Sequence, residues 1–187
     1  QANEVLVKPE SIIIDAKSGT TGAGRSAKTS SLDCEVNENF KPYGVFGHRH
    51  TPEIEEKLTN LQGAPVEVTF TPHLLPLNSA ILSTIYFDLT PEAAPDFHQA
   101  KAFELFQSYY KKEPFIRVVE HLPELSHIRG TNFCDLTVRV DAERGRVIVI
   151  SAIDNLIKGA SGQAVQSMNL MFNLEENRGL NFLSMYI

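Results

Sequence analysis

The chain has 187 residues, with 17 Lys and Arg against 23 Asp and Glu for a formal charge of -6, and it holds two cysteines. That length suffices for the core of one domain, or of one domain with an appendage. A net acidic balance argues against a general nucleic-acid binder, no run approaches 18 consecutive apolar residues, and two cysteines are too few for a disulfide scaffold. A reducing, intracellular setting is the expectation. The chain starts QANEVLVKPE, without an initiator Met or the basic-then-apolar pattern of a signal peptide. A longer precursor or missing upstream sequence therefore has to be considered.

In chain order, IIIDA at 12–16 is short, branched and apolar, and predicts a strand. It runs into KSGTTGAGRSAK at 17–28, where three glycines in six residues predict a loop at the strand's end. Residues 29–41 are polar and read as irregular, and 43–47 as a short extended piece leading to His48-Arg49-His50. Thr51-Pro52-Glu53 has the signs of a helix start, with a capping hydroxyl, Pro at the first position and an acid in the first turn. That helix is expected to reach Leu61, with Ile54, Leu58 and Leu61 inward. Alternation at 65–72 predicts a strand, HLLPLNSA a loop, and 81–89 a second strand beside the first. An amphipathic helix follows at 97–111 and a strand at 115–119. Strands at 135–140 and 147–153 flank a hairpin turn, and 161–173 returns to helix. The pattern predicts an α+β fold with a mixed, largely antiparallel sheet and packed helices.

Three stretches concentrate groups with chemical uses. Lys17 to Lys28 sets basic side chains beside flexible backbone donors and suits a phosphate or carboxylate, but it is neither GxGxxG nor a P-loop. It reads equally as a Gly-rich turn with solvated basic residues. Gly47-His48-Arg49-His50-Thr51-Pro52-Glu53 places two imidazoles before a helix, with Glu53 available to orient one and Arg49 offering a carboxylate fork. Metal binding competes there, yet HxH with a nearby Glu is not HExxH, and no metal is expected. Surface histidines capping a loop are the plainer reading. In SAIDNLIKGASGQAVQ at 151–166, helix-end N–H groups after Asp154-Asn155 could meet an anion, and Ala160, Ala164 and Met168, with Met171 and Phe172, could pack on another element. Neither Cys34 nor Cys134 sits among features that lower a thiol pKa.

The stretches SIIIDAKSGTTGAGRSAK, EVNENFKPYGVFGHRHTPEIEE, FTPHLLPLNSAILSTIY, RGTNFCDLTVRVD and SAIDNLIKGASGQAVQSMNLMF occur in colinear order across nearly the whole chain. They resemble the N-acetyl-gamma-glutamyl-phosphate reductases of arginine biosynthesis, which belong with the aspartate-semialdehyde dehydrogenases. The resemblance implies a glyceraldehyde-3-phosphate-dehydrogenase-like C-terminal domain. It implies NADPH-dependent reductive dephosphorylation of N-acetyl-glutamyl 5-phosphate through a cysteine nucleophile and a proton-handling histidine. Carried onto this chain, it makes His48 the acid/base, Glu53 its supporting carboxylate and His50 a secondary candidate. Ser18, Gly19, Arg25, Arg49 and His50 become substrate contacts, and Asn155, Lys158 and Gly162 cofactor neighbours.

Two departures qualify the resemblance. The family's nucleophile lies in an upstream Asn-Pro-Gly-Cys type motif after a Rossmann fingerprint, and neither is in this sequence. Asn78-Ser79-Ala80 stands where the family often has Asn-Arg-Gly. The expectation is thus a substrate-binding and dimerisation domain over 1–153 and a return helix and tail over 154–187 that packs on a nucleotide-binding domain. The 187-residue chain by itself is expected to be inactive, and the complete enzyme a homodimer or homotetramer without nucleic-acid or membrane partners. Its expected location is the cytoplasm, or a plastid or mitochondrion in a eukaryote. A related aspartate-semialdehyde or lysine-pathway acyl-phosphate reductase and a non-catalytic binding or oligomerisation module stay open.

Overall fold

The computed structural model describes residues 6–24, 29 and 32–184. One seven-stranded sheet organises them, in the order β2-β3-β1-β4-β7-β6-β5. Its strands are β1 (Ile13–Ser18), β2 (Lys41–Pro42), β3 (Thr69–Leu74), β4 (Ile81–Asp88), β5 (Ile116–Val118), β6 (Cys134–Asp141) and β7 (Arg146–Ile153). The helices are α1 (Asp33–Val36), α2 (Thr51–Gln62), α3 (Gln99–Tyr110), α4 (Leu125–Ile128) and α5 (Gly162–Met171). Four strand pairs are antiparallel, while β1–β3 and β5–β6 are parallel. The mixed, largely antiparallel sheet matches the pattern read from the sequence.

Several boundaries differ from that reading, each for a local reason. The extended piece expected at 43–47 is a turn, entered with Gly44 and Phe46 both at positive φ, and the paired residues are Lys41 and Pro42. The strand expected from Pro65 starts only at Thr69, because the N–H groups of Val66 and Val68 donate to Thr59 Oγ1 and Glu55 Oε1 of α2. The expected neighbours β3 and β4 are separated by β1. A parallel β1–α2–β3 crossover places β3 outside β1, so the chain must return over β1 to start β4. The α2 helix begins at Thr51 with His50 in the cap position, so Thr51 is inside the first turn rather than its cap. In α3 the expected helix is present, and His98 Nδ1 accepts from the Lys101 N–H at its start.

Pairing register sorts the side chains into two faces. One carries Ile14, Ile85, Phe87, Leu136, Val138, Val147 and Val149, and α3 covers it through Phe103, Phe106 and Tyr110. At its other end α2 lies over the sheet with Ile54 and Leu58 around an open apolar cleft of about 490 Å³ that also touches Ile14 and Phe87. Leu61, expected inward, is 80% exposed at the rim. The opposite face consists of cross-strand rows. Lys17, Leu82, Ala152 and Asp135 form the row beside α4, whose Leu125 and Ile128 pack against Leu82 and Ala152. The rows Asp15–Thr84–Ile150–Thr137 and Ile13–Tyr86–Ile148–Arg139 follow; in them Ile13 is exposed and Thr84, Tyr86, Ile148 and Ile150 only half-buried.

Both lateral edges of the sheet are blunt. The β2 edge is two residues long and contains Pro42. At the other edge β5 covers only part of β6, and the bare stretch is taken up by Gln99, whose amide donates to Val138 O and accepts from Val140 N–H. No helix among the described residues is long and apolar enough to cross a membrane.

Candidate functional site

His48 sits in a tight loop between β2 and α2. Gly44, at φ +58°, lets that loop fold back so closely that a Cβ there would lie 3.2 Å from His48 Cδ2 and 3.3 Å from its Cβ. The ring is set edge-on to Tyr43, His50 and Phe70, with centroids 5.5, 5.0 and 5.1 Å away. The His50 backbone N–H donates to His48 Nδ1 at 3.2 Å. In the neutral ring that bond leaves the proton on Nε2, which is therefore the donor atom. Burial lowers the His48 pKa below its usual 6.5, and the positive charges of His50 and Arg49 lower it further.

That shift has a sign that can be measured. Between the depressed folded pKa and 6.5 the unfolded chain binds more protons at this ring, so the group's contribution to stability falls as pH drops through that window. An NMR titration of the His48 ring should give a midpoint below 6.5, and His50→Gln should move it upward by removing a neighbouring charge. A midpoint at or above 6.5 would refute the desolvated environment.

The other residues named from the sequence divide between two places. Arg49 and His50 are exposed beside His48, and Arg49 makes no ion pair among the described residues. Glu53 is exposed in the first turn of α2, and no hydrogen bond or ion pair joins it to His48, because His48 Nδ1 is taken by the His50 N–H instead. Ser18 and Gly19 lie at the far end of β1. His48 touches Phe70, which pairs with Ile14, four residues before Ser18, a rise of about 13 Å along the sheet. Among the described residues, Ser18 and Gly19 are therefore not brought together with His48. Arg25 lies outside the described residues.

The glycine turn instead closes on the loop that crosses β1. Gly19, Thr20 and Thr21 donate backbone N–H groups to Ala80, Leu77 and Asn78 carbonyls at 2.9, 2.8 and 3.1 Å. Ser18 is buried, with its hydroxyl donating to Gly19 O. A Cβ on Gly19 would stand 2.9–3.0 Å from backbone atoms of Leu77, Asn78 and Ser79, so the close approach itself demands glycine. Asn155 completes the clamp: its Oδ1 accepts from the Ala80 N–H at 2.6 Å and its Nδ2 donates to Thr21 Oγ1 at 3.0 Å. Ala80 is fully buried at φ +101°, an unusual conformation held from both its N–H and its carbonyl.

The three expected cofactor neighbours are engaged within the fold. Both ends of the Asn155 amide are occupied as described. Lys158 donates to Gln166 Oε1 at 2.8 Å, and Gly162 packs against Asn132 and Ile157. At this helix start Asp154 Oδ1 accepts from the N–H groups of Leu156 and Ile157. A widened turn at Ile157–Ser161 then feeds α5. These contacts set the three residues side by side at the start of α5. Burial pushes the Cys134 thiol up to about 11, away from the thiolate a nucleophile needs, while Cys34 is an exposed free thiol.

Some polar groups went unnoticed in the sequence. On the half-open face Asp15 Oδ2 pairs with Lys17 Nζ at 2.5 Å, and Asp15 Oδ1 lies 3.0 Å from His73 Nδ1. The second contact is one of distance rather than alignment, since neither atom has a hydrogen bond. The two-residue spacing of Asp15 and Lys17 was the available signal; His73 joins them only through the β1–β3 register. Arg117 likewise grips the buried Asp135 with both carboxylate oxygens, across the parallel β5–β6 pair.

Comparison with known proteins places this geometry in context. The chain is 54% identical over 184 residues to the N-acetyl-gamma-glutamyl-phosphate reductase of Geobacter sp. (strain M21), and 55% to that of Citrifermentans bemidjiense (strain ATCC BAA-1014 / DSM 16622 / JCM 12645 / Bem). Each alignment covers 97% of this chain and 52% of the relative, so the chain spans about half the length of these curated relatives. Its fold is similar to that of aspartate semialdehyde dehydrogenase II from Vibrio cholerae, with a TM-score of 0.68 at 16% identity over 89% of this chain and 56% of that one. A probable aspartate-semialdehyde dehydrogenase from Pseudomonas aeruginosa gives 0.65 at 15% identity, again over 89% of this chain and 56% of that one. This likeness accords with the glyceraldehyde-3-phosphate-dehydrogenase-like fold expected from the sequence. The family described as semialdehyde dehydrogenase, dimerisation domain, matches residues 1–155, and with that match over most of its length the chain belongs to this family.

Proposed function

We propose that the chain is the substrate-binding and dimerisation portion of an NADPH-dependent N-acetyl-gamma-glutamyl-phosphate reductase. That enzyme converts N-acetyl-L-glutamyl 5-phosphate to N-acetyl-L-glutamate 5-semialdehyde in arginine biosynthesis. The observation that carries the reading is 54–55% identity to such reductases along 97% of the chain. The His48 loop supports it chemically. A neutral imidazole with Nδ1 accepting and Nε2 donating is suited to hold a proton against the acyl oxygen on which negative charge develops. Arg49 and His50, exposed beside it, suit the carboxylate or phosphate of the substrate. Arg25, Ser18, Gly19 and Glu53 are proposed to take the family roles, brought toward His48 in the assembled enzyme.

The nucleophilic cysteine and most of the NADPH site are assigned to a nucleotide-binding portion, with Asn155, Lys158 and Gly162 as the proposed neighbours of the cofactor on this chain. Residues 154–187 are the segment proposed to pack on it, supported by the exposed apolar flank of Met171, Phe172 and Leu183, at 78, 71 and 87%. The half-open sheet face, with Ile13, Tyr86, Ile148 and Ile150, is the proposed homodimer surface. A cytoplasmic location is proposed with these roles, and the two free thiols are compatible with it.

The test is to join the chain to the nucleotide-binding portion of a reductase relative and assay phosphate-dependent NADP reduction with N-acetyl-glutamate semialdehyde and aspartate semialdehyde. Turnover of the first over the second is expected. Preference for the second would replace the substrate, and a folded but inactive assembly would favour a binding or oligomerisation module.

A further inference from the structure

We propose that His121, His127 and Asp135 form a binding site for a divalent transition-metal cation of the zinc class. One ligand atom from each of these residues lies within 4.8 Å of the others. The three come from separate pieces of chain: His121 from the turn after β5, His127 from α4 and Asp135 from β6. The two imidazoles face each other edge-on with centroids 5.7 Å apart, and both are exposed. Exposed side chains need only small rotamer changes to draw in to the roughly 2.0–2.2 Å bonds that Zn²⁺ makes to His nitrogen and carboxylate oxygen.

Asp135 is the fixed point of the group. It is 2% exposed, and Arg117 holds it through Nε–Oδ1 at 2.5 Å and Nη2–Oδ2 at 3.0 Å. Arg117 is itself placed by the Phe133 ring, 4.5 Å from its guanidinium carbon. A carboxylate oxygen has two acceptor directions, so the arginine uses one on each oxygen and leaves others for a cation. It acts as the outer partner that orients a ligating carboxylate. Its positive charge opposes a metal, and Glu124 offsets it: Glu124 Oε2 lies 3.9 Å from His127 Nε2 at the start of α4. Two imidazole nitrogens favour Zn²⁺, Co²⁺ or Ni²⁺ over Ca²⁺ and Mg²⁺, which prefer oxygen donors.

These residues belong neither to the His48 loop nor to the clamp around Asn155. The expectation of no metal rested on the His48–His50 pattern; the second pair of histidines meets only because α4 folds back over the row containing Asp135.

The test is a Zn²⁺ titration of the purified chain against a chromophoric chelator, with Co²⁺ absorption as a second readout of coordination. One equivalent is expected to bind. His121→Gln and His127→Gln should each weaken it by at least the about 10–100-fold that loss of an outer-shell partner costs. His48→Gln/His50→Gln should leave it unchanged. Both single variants are on exposed side chains, and unchanged circular dichroism would show that they remain folded. Zn²⁺ affinity unaffected by either variant, affinity lost only with the His48/His50 pair, or no binding by the wild-type chain would each overturn the proposal.

Discussion

Replacing His48 by Ala in the assembled reductase is expected to lower kcat about 10²–10⁴-fold, the range for loss of a positioned acid or base. The KM for the acyl substrate should change much less, because the ring is assigned to a charge that develops during reaction rather than to ground-state binding. The ring is only partly buried and its contacts are edge-on aromatic ones, so the unfolding midpoint should move little. His50→Ala should be the milder change, since His50 orients the loop with its backbone N–H, which Ala retains. Steady-state kinetics with thermal unfolding of the same samples would check this. A near-wild-type kcat for His48→Ala would remove it from the mechanism.

The largest stability effect is expected at Gly162→Ala. Gly162 has ordinary helical φ and ψ, so glycine is not required there for its backbone freedom. A Cβ would collide with Asn132 Oδ1, and would stand 2.8 Å from both Ile157 Cγ2 and Ile157 O. Asn132 cannot simply yield. It is fully buried, and its Nδ2 donates to Gln166 Oε1, which also receives Lys158 Nζ, while Gln166 Nε2 donates to Glu176 Oε1. Forcing a methyl into this network is expected to cost about 3 kcal/mol, the upper part of the usual overpacking range. For a chain of this size that is a fall in Tm of about 6–12 °C. Gly159→Ala is the control, because its Cβ would meet its nearest neighbours at an ordinary 3.7–3.8 Å and no positive φ forbids it. Equal unfolding midpoints for the two variants would disprove the account.

These cases also show which parts of the fold were readable in the sequence. The β6–β7 hairpin, β4 and α3 were legible because period and turn chemistry are local: a two-residue alternation or an apolar stripe needs no knowledge of distant chain. The position of β1 between β3 and β4 was not, because a parallel crossover is chosen by where α2 packs, and α2 has only Ile54 and Leu58 to guide it. Among site residues, His48 before a helix was legible from Gly47 and Thr51-Pro52. Its orienting partner was not, because that partner is a backbone N–H and not the nearby Glu53. Asn155 looked like a loop amide beside a helix and is instead bonded to residues 75 and 134 positions away. Its two ends could be placed only once the crossing loop and the glycine turn were known to touch.

The blunt margins of the sheet restrict how copies of this chain can meet. A Pro-containing two-residue stub on one side, and a three-residue strand with the Gln99 plug beside it on the other, offer an incoming strand only short runs of free donors and acceptors. Lateral growth into a continuous ribbon across two molecules is disfavoured from both directions. The homodimer proposed through the half-open face stacks its sheets broadside, as two plates pressed together, an arrangement that closes on itself after a single pairing instead of propagating into a fibre.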